Sequence, residues 1–484
     1  MKIKLYLFTA LLIVLNSFRT ESQHDKHYNC FTILVGKNAS VDGSVLMGHN
    51  EDNYGDTFTD WHKLPRMMHK QGGYQVFLSG DSIEEARQTN ACLWISVSAF
   101  NAEQYLNEWG VAITTDASHS NVQNGKGRIV QCLRRIMAER AHSAREAVKI
   151  AGRLIETFGY NHSGRIYSVS DPDEAWVVEV VNGKQWAAAR VPDDEVVLIP
   201  NYYVIDYIDL TDTINFLSSP DLIDYAVQQG WYDPDKGDPF NFREAYCNPY
   251  YLHSRNNVAR RWAAINILSE KQYEINDVFP FSFRPKQKVS MQDIMYVLQN
   301  HYEGTEYESN NADSTIDPHK AMTSGICNQK NTFSTVVQLR NWLPVDIGCV
   351  MWIAPRYPCI QPYIPWYYGI NIIPAGYENE SYELALVNYL NKDRNFRELY
   401  PQAGYWIFRD FASQVDKNYA GQIEEVRKWK QRFESKIFKT VINREKRIAR
   451  IYDSDPASAR KKLTKITSSF AEKVLGETKR KLGQ

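Results

Sequence analysis

Cys30-Phe31-Thr32-Ile33-Leu34-Val35-Gly36 opens, and Val45-Leu46-Met47-Gly48-His49-Asn50-Glu51-Asp52 closes, the stretch on which the fold turns. The first run is apolar and β-branched and stops at a glycine; the second is its returning strand. Between them Lys37-Asn38-Ala39-Ser40-Val41-Asp42-Gly43-Ser44 supplies turn chemistry, with Asp42-Gly43 the strongest hairpin dipeptide. The two ends of a hairpin lie side by side, so this reading brings Cys30 close to His49 and Asp52.

Strand character recurs at 93–99, 111–115, 165–169, 176–181, 186–191 and 196–199, and again over 333–353 with a break at Asn341-Trp342-Leu343-Pro344. Apolar residues at three- and four-residue steps predict helices over 127–141, 144–158 and 257–269, and a fourth over 291–302 behind a Ser290 cap. Strands interleaved with helices indicate a layered α+β fold. From about Gln414 the composition changes: residues 421–484 carry 18 Lys/Arg against 8 Asp/Glu, with helical spacing at Ile423, Val426, Trp429, Phe433 and Ile437. Two or three amphipathic helices are expected there, packed on the main domain with a solvated basic face.

The chain of 484 residues is 43% hydrophobic and 13% aromatic, which excludes a disordered or coiled-coil protein. Its net charge of −1 names no partner for the whole molecule. Lys2 and Lys4 precede an apolar run over 5–15, too short to span a bilayer and right for a signal-peptide core, followed by polar Arg19 to Lys26. Export to a periplasmic, extracellular or lysosomal/secretory compartment is therefore expected. The organisation read from these features is a signal peptide over 1–19, a propeptide over 20–29, a main domain over 30–413 and a basic helical extension over 414–484. Seven cysteines allow up to three disulfides and leave one thiol over. No two are spaced as a zinc pair, and none joins a histidine cluster along the chain, so no metal is expected. His119, His142 and His162 show no metal-ligand spacing either.

A free thiol has a pKa of about 8.5 and needs help to ionise. If cleavage after Asn29 exposed Cys30, its own α-amine, with a pKa near 8, would take the thiol proton. One residue would then be nucleophile and base. Cys30-Phe31-Thr32-Ile33-Leu34-Val35-Gly36-Lys37-Asn38-Ala39-Ser40, Asp42-Gly43-Ser44 and His49-Asn50-Glu51-Asp52 resemble the opening of the cysteine-type N-terminal-nucleophile dipeptidases, the dipeptidase A and secernin group. Asn107 to Ala112, Asp171 to Trp176, Arg190 to Glu195 and His301 to Thr305 agree in order, so that the resemblance covers about residues 30–400. It implies a four-layer αββα sandwich, dipeptide hydrolysis through a thioester, and no metal or organic cofactor.

Residue by residue, the resemblance implies that Cys30 attacks the scissile carbonyl and that Asp52 orients the amine or thiol. His49 stands where many relatives have arginine. Asn201, at the end of the apolar run 196–199, aligns with the oxyanion asparagine of related amide hydrolases. A family arginine falls near Arg260-Arg261, between which the sequence does not choose; a solvated helix face is expected for one of them. Thr115 and Asp116, at the end of the 111–115 strand, are candidates for binding substrate; Glu103 and Glu108 carry less weight. The aromatic block Trp352, Tyr357, Tyr363, Trp366, Tyr367 and Tyr368 is expected to be packing. The absence of a Walker-type glycine loop and of a Gly-x-Ser-x-Gly elbow argues against phosphate binding and an α/β-hydrolase. Expected partners are a small peptide and no nucleic acid; no transmembrane anchor is expected in the mature chain, and a homo-oligomer is compatible with the sequence. Two alternatives stand beside the dipeptidase: a linear acyl-amine hydrolase of the same fold, and a non-catalytic exported binding protein.

Overall fold

The computed structural model describes residues 29–483 except 54–56, 78, 98–101, 124, 130–131, 309–316 and 388–393. The expected leader, and the expected propeptide up to residue 28, lie outside the described residues. The strands of the two large sheets are, in chain order, β1 (Phe31–Val35), β2 (Val45–Asp52), β3 (Thr59–Leu64), β4 (Cys92–Val97), β5 (Ala102–Asn107), β6 (Ala112–Ala117), β7 (Tyr160–Ser170), β8 (Ala175–Gly183), β9 (Trp186–Arg190), β10 (Val196–Ile199), β11 (Phe216–Ser218), β12 (Ser282–Phe283), β13 (Asn331–Leu339), β14 (Cys349–Pro355) and β15 (Ile364–Tyr367). One sheet has the order β12-β10-β1-β2-β13-β14-β15, the other β11-β9-β8-β7-β6-β5-β4-β3. All neighbouring pairs are antiparallel.

The helices that complete the layers are α1 (Leu133–Arg140) and α2 (Ala144–Phe158), which cover the outer face of the eight-stranded sheet, and α3 (Arg255–Leu268) and α4 (Met291–Leu298), which cover the seven-stranded one. Between the sheets lies the main core, to which Leu34, Met47, Leu106, Ile166, Val197 and Val337 belong. A second core fills the space under α1 and α2. Strands with both faces covered must be apolar on both, which is why β10 reads as an unbroken hydrophobic run and β1 is interrupted only by Thr32. The expected αββα sandwich is the observed one.

Several local expectations hold and some shift. Gly43 takes φ 86° in the turn between β1 and β2, as its Asp-Gly signal requires. Ser290 caps α4 in a reciprocal capping box with Asp293, but the helix stops at Leu298 instead of 302, and Tyr302 is left-handed with φ 67°. The helix expected from 127 begins at Leu133, because Ile129 instead bridges to Tyr160 and Gly127 packs against the Tyr160 backbone. The break at 341–344 separates β13 from β14 as expected. The aromatic block is buried throughout.

The C-terminal part forms α5 (Gly404–Asp416), α6 (Tyr419–Tyr452) and α7 (Pro456–Lys481). The expected boundary at 413/414 falls inside α5. Ile437, Val441, Leu463 and Val474 join the main core, and α7 packs on β15. The basic excess therefore sits on the outer faces of helices whose inner faces are part of the sandwich. Among the described residues no helix is long and apolar enough to cross a membrane.

Gly48 in β2 faces α4, and a Cβ there would stand 2.3 Å from Cγ2 of Ile294. Its backbone is ordinary for a strand, so the constraint is purely steric. Gly48→Ala is expected to destabilise the protein by about 1–3 kcal/mol through overpacking. A urea midpoint equal to that of the wild type would show that α4 can retreat at no cost.

Candidate functional site

Antiparallel pairing of Phe31 with Asn50 and Thr32 with His49 puts Cys30 opposite Glu51. Side chains alternate along a strand, so Cys30 and Thr32 share a face with His49 and Glu51, and this face looks across to the second sheet. The Cys30 thiol is buried, 3.9 Å from Glu51 Oε1 and 4.0 Å from the Asp52 carbonyl oxygen, to both of which it is oriented to donate. His49 is fully buried between Thr32 Oγ1, 2.7 Å from its Nδ1, and Glu51 Oε2, 3.1 Å from its Nε2. The Thr32 hydroxyl donates to Asp116 Oδ2 at 2.6 Å, and this bond ties β1 to β6 in the other sheet. Asp52 receives a hydrogen bond from the Asn331 side chain, at the bulged start of β13.

One carboxylate thus lies within reach of a buried thiol, and the charges of two more act on it from farther away. Burial, and then the charges of Glu51, Asp52 and Asp116, push the Cys30 thiol well above its ordinary pKa. Burial also raises Asp52 to about 6, against the pull of Lys330, Arg260, Asn328 and Asn331. Asp116 is raised to about 7, again mainly by burial, with His49 and Thr32 opposing. With residue 29 still attached, the thiol is strongly disfavoured from ionising.

From the outer layer α3 inserts Arg260, whose Nη1 donates to the Cys30 carbonyl oxygen. Its Nη2 donates to Asn201 Oδ1 at 3.1 Å and to Asn257 Oδ1 at 2.6 Å. Asn201, just past β10, donates through Nδ2 to the Ala117 carbonyl at 2.8 Å. A primary amide carries two N–H groups, and among the described residues only the Ala117 carbonyl accepts from this one. Arg261 takes the other direction, to Tyr202 Oη at 3.1 Å and the Pro280 carbonyl at 2.6 Å. The structure therefore separates the two arginines. It also corrects the expectation of a solvated helix face, since both are fully buried.

Cys30, His49, Asp52, Asp116, Asn201 and Arg260 come together; Thr115 does not. Because Asp116 faces β1, its neighbour Thr115 points to the helical side, where it accepts a hydrogen bond from Arg134 at 2.8 Å. Asp116 itself is wholly enclosed behind Thr32 and His49. Glu103 is buried against Trp94, Tyr105 and Arg134, and Glu108 pairs with Arg66 at the surface. The sequence reading passed over Glu51, Thr32 and Asn331. Glu51 is the carboxylate within hydrogen-bonding reach of the thiol, a place expected of Asp52. Its signal was register: the loop between β1 and β2 is too long for turn chemistry alone to set which residues pair.

The model for Peptidase family C69 matches residues 29–432. A probable dipeptidase of Latilactobacillus sakei is 26% identical over 407 residues, 81% of this chain and 81% of that protein. Dipeptidase A of Lactobacillus helveticus is 26% identical over 404 residues, 77% of this chain and 83% of its own length. Among solved structures, penicillin V acylase from Agrobacterium tumefaciens aligns over 70% of this chain and 86% of its own, with 12% identity and a TM-score of 0.33. With a family model spanning the hairpin, both sheets and the start of α6, the chain belongs to peptidase family C69.

Proposed function

We propose that this peptidase is an exported cysteine dipeptidase, activated by removal of the residues before Cys30 and acting through a thioester on the Cys30 sulfur. The observation that carries the reading is the placement of residue 30: a buried thiol just before β1, next to Glu51 and under the charges of Asp52 and Asp116, with Arg260 on its carbonyl. This concentration of negative charge opposes a thiolate in the uncleaved chain but is the natural counter-charge for an ammonium. Cleavage after Asn29 creates that ammonium at residue 30, where its charge lowers the thiol pKa and its neutral form accepts the thiol proton.

In the mature enzyme Cys30 Sγ adds to the peptide carbonyl while the α-amine takes the thiol proton. The second N–H of Asn201 donates to the oxyanion, and Arg260 holds the Asn201 amide and the Cys30 backbone in position. The α-amine then passes its proton to the leaving amine, and the thioester remains on Cys30. Water, deprotonated by the same amine, cleaves the thioester and restores the thiol. Glu51 and Asp52 stabilise the ammonium form between these transfers, with the charge of Asp116 adding from behind Thr32 and His49. The relatives named dipeptidase support a dipeptide as the substrate.

The test is the first residue of the mature protein, determined by intact mass and terminal sequencing. A chain starting at Cys30 with dipeptidase activity is expected. An active chain that keeps residues before Cys30 rules out the α-amine as base, and a panel of acyl amines set against dipeptides tests the substrate class.

The raised carboxyl groups also give a pH dependence to the uncleaved chain, preserved by Cys30→Ala. A folded-state pKa of about 6 or 7 on a group that titrates near 3.8 when unfolded means that the folded state binds the proton more tightly. The stability contributed is full below pH 3.8 and is lost as pH rises through 6–7, by about 1.4 kcal/mol per pH unit for a whole proton. Urea midpoints of Cys30→Ala are expected to fall more steeply from pH 4 to 7 than those of Cys30→Ala/Asp116→Asn. Equal slopes would mean that Asp116 is ionised throughout.

A further inference from the structure

The hairpin chemistry leaves unused a second cluster of reactive side chains. His301, just past α4, His319, Cys327, before β13, and Cys359, after β14, are all buried, and one donor atom from each lies within 4.8 Å of the others. They sit in a small apolar core of their own, with Tyr357, Phe411, Tyr419 and Trp429 around them. His319 Nε2 is 3.2 Å from the Cys359 sulfur and 3.7 Å from the Cys327 sulfur. Along the chain none of these cysteines neighbours a histidine; in space two of them do.

The outer nitrogens of the two imidazoles decide what the inner ones can do. His319 Nδ1 lies 2.9 Å from Asp416 Oδ1, on α5, and 3.1 Å from Asp317 Oδ1. His301 Nδ1 lies 3.0 Å from Glu303 Oε1, which Arg427 of α6 approaches in turn. A carboxylate only accepts, so each Nδ1 carries the proton and each Nε2 presents a bare lone pair in the neutral ring. His301 Nε2 is buried and, by distance and angle, makes no hydrogen bond among the described residues. Two lone pairs and two thiols therefore converge on one point.

We propose that His301, His319, Cys327 and Cys359 form a structural Cys2His2 site for a divalent ion of tetrahedral preference, zinc above all. Zinc–sulfur bonds of about 2.3 Å and zinc–nitrogen bonds of about 2.0 Å place tetrahedral N and S donors about 3.5 Å apart, and the two distances from His319 bracket that value. Carboxylates on the far nitrogens of ligating histidines are the usual means of fixing their orientation. Two thiolates with two imidazoles favour zinc over calcium or magnesium. On binding, the two sulfurs and the two Nε2 atoms release to solvent any protons they carry and each gives an electron pair to the ion; nothing is oxidised or reduced. With four protein donors the ion has no open position, so the site is structural. The left-handed Tyr302 beside His301 fits it as well, since such backbone is held only where the surroundings determine it.

The site would fasten the C-terminal helices to the segment that borders the peptidase centre. Asn328, next after Cys327, and Asn331, the first residue of β13, both face Asp52. On the other side, the Ser324 hydroxyl accepts from Asn29, and the Ser324 carbonyl accepts from Tyr302.

The experiment is metal analysis of the full-length protein, purified without a metal-binding tag, by inductively coupled plasma mass spectrometry. About one zinc per chain is expected, falling at least tenfold in Cys327→Ser and Cys359→Ser and unchanged in the buried control Cys92→Ser. Where the serine variants do not fold, cobalt(II) added to chelated wild type is expected to give thiolate charge-transfer bands and the strong visible absorption of a tetrahedral ion. Protein that contains no metal and takes up neither zinc nor cobalt after reduction would overturn the proposal. So would a Cys327–Cys359 disulfide found by non-reducing peptide mapping of the active protein.

Discussion

Cys30→Ala is expected to lower peptidase activity by about 10⁴-fold or more and to leave the chain uncut before residue 30. Removal of a covalent nucleophile commonly costs this much, because what remains is binding and oxyanion stabilisation alone. The buried thiol is enclosed by β2, β6 and α3 through Glu51, Asp116 and Arg260, and no other described cysteine shares that setting. Loss of cutting and loss of chemistry are separable. A chain expressed to start at Met-Cys30, whose initiator methionine is removed by the host, needs no further processing and should be active. The same shortened chain with alanine at residue 30 should be inert although it is fully processed. Residual activity within tenfold of wild type in that variant would remove Cys30 from the mechanism. Inactivity of both shortened chains, with dipeptides still bound, would point to the non-catalytic reading.

Asn201→Ala is expected to lower kcat by about 10²–10³-fold with a small change in KM. One preorganised donor to an oxyanion is worth this much, and its bond strengthens as charge develops. The side chain is prepared for the task by two partners, Arg260 on its oxygen and the Ala117 carbonyl on one of its N–H groups. Asn201→Asp keeps the shape and the contact with Arg260 but replaces a donor by an acceptor, so it should be as damaging as alanine. Arg260→Lys, which keeps the charge and loses the fork that spans the Cys30 carbonyl, Asn201 and Asn257, is expected to fall between wild type and Asn201→Ala. A KM effect with kcat intact in Asn201→Ala would reassign this residue from the oxyanion to ground-state binding.

Much of this was legible along the chain, and for definite reasons. A hairpin is a local object, so β-branched runs around Asp42-Gly43 announced β1 and β2 and put Cys30 beside the far end of β2. Capping is local too, and Ser290 marked the start of α4. Apolar runs at 196–199 and around Val336 read as strands because both faces of the first sheet are covered. Pairing register, by contrast, depends on the partner strand and on the path of a long loop. Glu51 rather than Asp52 therefore emerged opposite the thiol only from the folded sheet. Face selection on β6 is of the same kind: adjacent residues point apart, and only the position of the second sheet decides that Asp116 is inside and Thr115 is turned to Arg134.

What the sequence by itself determined is the layered α+β class, the opening hairpin with its cysteine, and the residue types from which an amide-hydrolysing centre can be built. Those are set by short-range backbone preference and by the chemistry of single side chains. Tertiary structure alone decided which of two adjacent arginines reaches Cys30 and that the C-terminal helices share the main core. It also decided that His301, His319, Cys327 and Cys359 meet. Each of these depends on segments far apart in the chain arriving at one place. That arrival is driven by burial of apolar surface summed over the whole fold, which no local pattern records.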